Sequence, residues 1–168
     1  MNHIILIGFM GAGKTTIGKA LARENHLGFL DTDEQIEKEQ QMKITDIFTQ
    51  YGETYFRNLE TKLLKDLQNE TRRMVISVGG GLPVRKENRV LLKTLGCVVY
   101  LQAEVETLAA RLTGSKNRPK LAGGDLRGRI ISLMEAREAL YLEAADVQIR
   151  TDDKKIQEVV KEIGKHVL

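Results

Sequence analysis

Eight residues near the start of the chain constrain its fold more than any others. Gly8-Phe9-Met10-Gly11-Ala12-Gly13-Lys14-Thr15 follows a short apolar run, His3 to Ile7, and precedes a stretch with helical apolar spacing at Ile17, Leu21 and Ala22. The run is continuous, β-rich and apolar, as befits a strand buried on both faces. Glycines at such a junction let successive backbone N–H groups converge on an anion, and the start of the next helix adds the positive end of its dipole. The spacing is that of a loop for nucleotide phosphates. Backbone from Gly11, Ala12, Gly13 and Thr16 would cradle the anion, Lys14 would supply charge to the β- and γ-phosphates, and Thr15 a hydroxyl to Mg²⁺. The bland alternative is a glycine turn with a solvated lysine; the flanking strand and helix oppose it.

The rest of the chain alternates in kind. Gly28 to Asp31, Met74 to Val78, Cys97 to Leu101 and Val147 to Ile149 read as strands. Between them, helices are predicted over Thr16 to Glu24, most of Asp33 to Tyr51, the run containing Phe56, Leu59, Leu63, Leu64 and Leu67, Val90 to Leu95, Val105 to Leu112, and Ile130 to Ala144. Thr45 is a candidate cap for a second, shorter helix in the first long stretch. A last helix carries Ile156, Val159, Val160, Ile163 and Val167, with Asp152 or Asp153 near its start. Thr113 to Gly124 holds three Gly, one Pro and several basic residues, and reads as a mobile loop. Alternating strands and helices imply a parallel α/β sheet covered on both faces, with ligands at the carboxyl ends of the strands.

Composition removes several functions. The 168 residues suit one domain. One cysteine, Cys97, and three histidines, His3, His26 and His166, exclude an internal disulfide and a Cys/His zinc site. Cys97 lies in a strand and reads as an inert buried thiol; the histidines receive no role. No segment approaches the ~20 apolar residues of a membrane span, and the apolar stretch near the start is too short for a signal peptide. A cytoplasmic protein is expected. A net charge of +3, with four Tyr, four Phe and no Trp, gives no nucleic-acid surface. Charge is local instead: Arg111, Lys116, Arg118, Lys120, Arg127 and Arg129 face only Asp125 between residues 111 and 129, which suits a small polyanion.

The phosphate loop alone does not name a reaction. No Asn/Thr-Lys-x-Asp segment is present to read guanine, and Val78 is followed by glycines where many ATPases carry an acid. Asp31 and Asp33 follow the second strand two residues apart, so on extended chain they face one side. Either one serves Mg²⁺ while the other receives a hydroxyl proton, or Asp33 caps the next helix and Asp31 is a solvated turn residue. Arg57 and Glu60, three apart on a helix, form either a carboxylate anchor or an ordinary surface pair. Gly79-Gly80-Gly81 lets a ligand or another segment approach the backbone, or is a flexible turn. Arg137 and Arg118 are open to a solvated reading, and Phe48 and Phe56 to a core one; a closing arginine such as Arg118 can also offset charge on a moving phosphoryl group.

Taken in order, these motifs resemble the shikimate kinase family over essentially the whole chain: Gly8 to Thr15, Asp31-Thr32-Asp33, Phe56-Arg57-x-x-Glu60, Gly79-Gly80-Gly81, Arg111, Arg118-Pro119, and Arg137 followed by Tyr141 and Ala145. The resemblance implies a three-layer nucleoside-monophosphate-kinase-like domain over residues 1–168, with a five-stranded parallel sheet of order 2-3-1-4-5. It implies a mobile lid at about 112–124 and an acceptor-binding helical region at about 33–60. The implied reaction transfers the γ-phosphoryl of ATP to the 3-hydroxyl of shikimate, on the route to chorismate and the aromatic amino acids. By the same resemblance Asp33, Lys14 and Arg118 are catalytic. Asp33, Arg57, Glu60, Arg137, Gly79, Gly80 and Gly81 bind shikimate, with Phe48 and Phe56 as an apolar wall. Arg111 packs near adenine, Arg118 also contacts the nucleotide, and Thr15 and Asp31 serve Mg²⁺. A monomer is expected, with no nucleic-acid or membrane partner.

Two departures are visible. Lys120 stands in the lid where many relatives have an apolar residue, and Thr151 to Lys154 lacks a proline often found on the adenine side. The rival readings are another small-molecule kinase, of the gluconate-kinase kind, and a nucleotide-binding regulatory protein without chemistry.

Overall fold

A computed structural model describes residues 2–113 and 125–168. Five strands form one sheet: β1 (His3–Ile7), β2 (Gly28–Asp31), β3 (Met74–Ser77), β4 (Gly96–Gln102) and β5 (Val147–Arg150). All pairings are parallel, in the order β2-β3-β1-β4-β5. The helices are α1 (Lys14–Glu24), α2 (Thr32–Gln40), α3 (Ile44–Leu67), α4 (Lys86–Leu95), α5 (Val105–Leu112), α6 (Leu126–Ala144) and α7 (Ile156–Val167). A 3₁₀ turn covers Leu82–Val84. The sheet order and the alternation are as expected.

β1 is central because its residues tolerate no water. Ile4, Ile5, Leu6 and Ile7 are fully buried, each worth about 1.5–3 kcal/mol of transfer free energy. In register, Ile5 lies beside Ile76 of β3 and Val98 of β4. The chain order reverses on either side of β1, and there the carboxyl ends of β1, β2 and β3 open a crevice.

Helix starts depart most from expectation, since apolar spacing marks a buried face and not a first turn. α1 begins at Lys14, two residues early, because Gly13 at φ 98° turns the phosphate loop directly into the helix. α4 and α6 likewise begin at Lys86 and Leu126, with Asp125 accepting from the Gly128 N–H to cap α6. Thr45 is no cap: α3 starts at Ile44, whose N–H donates to Glu37 Oε2 of α2 at 2.9 Å. Gly52, at φ 84°, breaks α3 into two helical stretches next to the expected boundary at Tyr51. Neither Asp152 nor Asp153 caps α7. Its first residue follows Lys155, whose N–H donates to Glu158, while Asp152 accepts from the Glu104 N–H. Cys97 is half-buried, and burial pushes its thiol pKa up, which keeps it unreactive. His3 is a core histidine: its Nδ1 accepts from the Met74 N–H, and burial holds its pKa below the usual range.

Candidate active site

The phosphate loop leaves β1 at Gly8 and enters α1 at Lys14. Lys14 Nζ donates to the carbonyls of Gly8 (2.7 Å) and Phe9 (3.0 Å), tying both ends of the loop together. Beside it, Thr15 Oγ1 donates to Asp31 Oδ2 at 2.7 Å, which joins the start of α1 to the end of β2. From α5, Arg111 reaches across to donate to the Gly11 carbonyl at 3.0 Å, and its guanidinium also meets Thr151 Oγ1 at 3.5 Å. Arg111 thus bridges the loop and the segment after β5.

The two acids do not share an extended chain. Asp31 ends β2 and caps α2, its Oδ1 accepting from the Asp33 and Glu34 N–H groups, so the backbone is helical from Thr32 onward. The cap is therefore Asp31 and not Asp33, and Asp31 is no solvated turn residue. Their carboxylates still line the same cleft, with different neighbours: Asp31 turns to Thr15, while Asp33 Oδ1 is buried toward the glycines after β3.

Those glycines are a strap against which four charged side chains converge. A Cβ on Gly79 would stand 2.8 Å from Asp33 Oδ1 and 3.1 Å from Glu60 Oε2. One on Gly80 would meet Arg137 Nη1 at 3.4 Å, and one on Gly81 would overlap the Arg57 guanidinium, 2.6 Å from its Cζ. The triple glycine is a close approach and not a flexible turn. Arg57 and Glu60 are no surface pair either: the glutamate is fully buried, its pKa pushed up to about 7 chiefly by burial, against the lowering pull of Arg57. Arg137 is buried too, so the solvated reading fails. Its Nη1 has no hydrogen-bond partner among the described residues. A buried guanidinium N–H in that state marks a place where an acceptor from outside belongs.

Phe48 and Phe56 lie ring to ring, centroids 5.0 Å apart, with Phe56 buried and Phe48 partly so. Every described candidate, from Gly11 to Arg137, lines one cleft of about 920 Å³. Arg118 and Lys120, and the expected lid apart from Leu112 and Thr113, lie outside the described residues. Two residues behind the cleft stand inside the quoted motifs without a role assigned from sequence. Thr32 Oγ1 accepts from the Gly79 N–H at 2.9 Å, and the Tyr141 hydroxyl donates to the Gly80 carbonyl at 2.5 Å. No periodicity signals either bond, since each joins a side chain to backbone more than forty residues away.

A sequence profile described as shikimate kinase matches residues 10–168. The chain belongs to the shikimate kinase family. A shikimate kinase from Thioalkalivibrio sulfidiphilus is 44% identical over 165 residues, covering 98% of this chain and 86% of the relative. A solved structure of shikimate kinase from Acinetobacter baumannii in complex with shikimate superposes with a TM-score of 0.94 at 36% identity, covering 98% of this chain and 92% of that one. A gluconokinase from Sinorhizobium meliloti, at 18% identity and a TM-score of 0.61, shares the fold alone. As a shikimate kinase family member, the chain is an ATP-dependent kinase.

Proposed function

We infer that this chain transfers the γ-phosphoryl of ATP to the 3-hydroxyl of shikimate, giving shikimate 3-phosphate and ADP, in the synthesis of chorismate and the aromatic amino acids. The observation that carries the reading is the meeting of Asp33, Glu60, Arg57 and Arg137 around Gly79–Gly81, in the cleft that also holds the phosphate loop.

The acceptor has one carboxylate, and the site offers two arginines from helices far apart in sequence. Arg57 and Arg137 hold that carboxylate from two directions and so orient the ring. Residues 33–60 supply most of the acceptor region, with Phe48 and Phe56 as its apolar wall. Glu60 holds Arg57 in place at 2.6 Å and lies against the same strap. Asp33 receives the reacting hydroxyl and aligns it toward the phosphate loop. Little base strength is required of it, since phosphoryl transfer passes through a loose transition state.

ATP lies with its phosphates on the N–H groups of Gly11 to Thr16. Lys14 meets the β- and γ-oxygens, and Arg111 borders adenine together with Thr151. Thr15 and Asp31 offer the hard oxygen donors that Mg²⁺ prefers, and their 2.7 Å contact puts both at one point. Water and phosphate oxygens would complete the ion's shell. Bound there, Mg²⁺ would neutralise phosphate charge. Arg118, by family resemblance, meets the charge on the transferred group. The protein acts as a cytoplasmic monomer; no helix among the described residues is long and apolar enough to cross a membrane.

An ATP-dependent assay with shikimate beside gluconate, quinate and nucleoside monophosphates tests the reading. Turnover with shikimate alone is expected. Preference for gluconate would overturn it in favour of the rival kinase, and ATP binding without any transfer would favour the regulatory protein.

A further inference from the structure

The strap Gly79–Gly81 is tied to β1 where it begins, the Val78 N–H donating to the Leu6 carbonyl at 3.1 Å, and it closes on itself in a turn, the Leu82 N–H donating to the Gly79 carbonyl at 3.0 Å. Within it two side-chain hydroxyls take hold of adjacent residues. Thr32, fully buried as the first residue of α2, accepts from the Gly79 N–H. Tyr141, fully buried on α6, donates to the Gly80 carbonyl. Its ring packs on buried Tyr100 with centroids 5.2 Å apart, and its hydroxyl also hydrogen-bonds with the Arg137 side chain, tying that arginine to the strap.

The placement of the two hydroxyls is what gives them a task. Thr32 directly precedes Asp33, and Tyr141 lies one helical turn after Arg137. A buried threonine at the start of a helix could have bonded within its own first turn. This one bonds instead to a strap 47 residues away. Glycine offers no side chain to set its position, so the strap depends on these two bonds for its offset from both helices.

We propose that Thr32 and Tyr141 are positioning residues which together clamp the Gly79–Gly80 segment between α2 and α6, through the peptide groups on either side of it, and so fix the distance between Asp33 at the acceptor hydroxyl and Arg137 at the acceptor carboxylate. What the clamp positions rests on the functional reading above; the clamp itself does not. Neither hydroxyl touches substrate. Their effect falls on the acceptor half of the cleft and spares the nucleotide half, which Lys14, Thr15 and Arg111 assemble separately.

Thr32→Val and Tyr141→Phe remove each hydroxyl at nearly constant volume, and Thr32→Ser restores the first. Each loss is expected to raise KM for shikimate about tenfold and to change KM for ATP less than about twofold. Thr32→Ser should return KM toward wild type. In the protein without substrates, hydrogen exchange at the Gly79 and Gly80 amides should quicken in Thr32→Val and Tyr141→Phe while the β1 amides stay protected. Lower melting temperature with equal loss on both substrates and unchanged strap exchange would overturn the proposal, as would unaltered KM and exchange in both variants. Quickened strap exchange in variants of a chain that fails to phosphorylate shikimate would uphold the clamp and sink only the functional reading.

Discussion

The guanidinium of Arg57 donates a 2.6 Å hydrogen bond to the carboxyl group of Glu60, which no water reaches. Burial disfavours the charged acid, and the nearby Asp33 adds to that effect. Arg57 opposes it without prevailing, so the pKa settles at about 7. The pair therefore changes its net charge around pH 7.

That titration has a stated sign. The folded chain keeps the Glu60 proton from about 4.5, its ordinary pKa, up to about 7, whereas the unfolded chain has lost it. Stability contributed here is present at acid pH and lost as pH rises through that window. From pH 5 to pH 8 the unfolding free energy from urea titration should fall by roughly 1–3 kcal/mol more in wild type than in Glu60→Gln. Shikimate, an anion at both ends of the range, should bind more tightly at pH 6 than at pH 8, because neutral Glu60 leaves Arg57 only the 3.3 Å pairing with Glu53 as counter-charge among the described residues. In Glu60→Gln this pH dependence should vanish, as titration calorimetry would show.

Asp33→Asn should cut kcat by about 10²–10⁴ while ATP binds normally. Its carboxylate lies at the strap, and the nucleotide contacts lie with Lys14, Thr15 and Arg111. Steady-state kinetics with an ATP titration would test this, and near-normal turnover would remove Asp33 from its role.

Arg137→Ala should cost about 2–5 kcal/mol of shikimate binding, since a buried charge would lose its partner across the site. Arg57→Ala should match that loss and also destabilise the fold, because it strips Glu60 of its counter-charge. Titration of shikimate into both proteins, set beside their melting curves, separates the two effects.

Gly81→Ala should weaken shikimate binding about tenfold and spare ATP. The added methyl would occupy the space of the Arg57 guanidinium, so that this flexible side chain must move off its present place beside Glu60. Equal affinity for shikimate in the variant would show that Arg57 can serve from elsewhere.

Much of this was legible in the sequence, for physical reasons. Ile4 to Ile7 and Val98 to Leu101 are apolar without interruption because both faces of a parallel sheet are covered. Gly8 to Thr15 is legible because few residue types permit its backbone. Sheet order came from the family resemblance; periodicity carries none of it. Asp31 was harder: it serves as helix cap and as partner of Thr15 at once, and a sequence shows an acid without showing how many bonds it makes. Arg137 in isolation is open to the reading of a solvated helix charge, and its burial depends on α6 packing over Gly80. Thr32 and Tyr141 were illegible as contacts because backbone accepts bonds from any residue that reaches it.

The crowding around Gly79–Gly81 also bears on how such a site can change over generations. A side chain added at Gly79 or Gly81 would crowd Asp33, Glu60 or Arg57 before it could create a new contact. Adaptation toward a different acceptor is hindered at these two positions of the strap. It is left to the aromatic wall, where Phe48 is only partly packed and one substitution alters shape without disturbing charge. Variation among descendants of this chain should accumulate at that wall while Gly79 and Gly81 stay fixed.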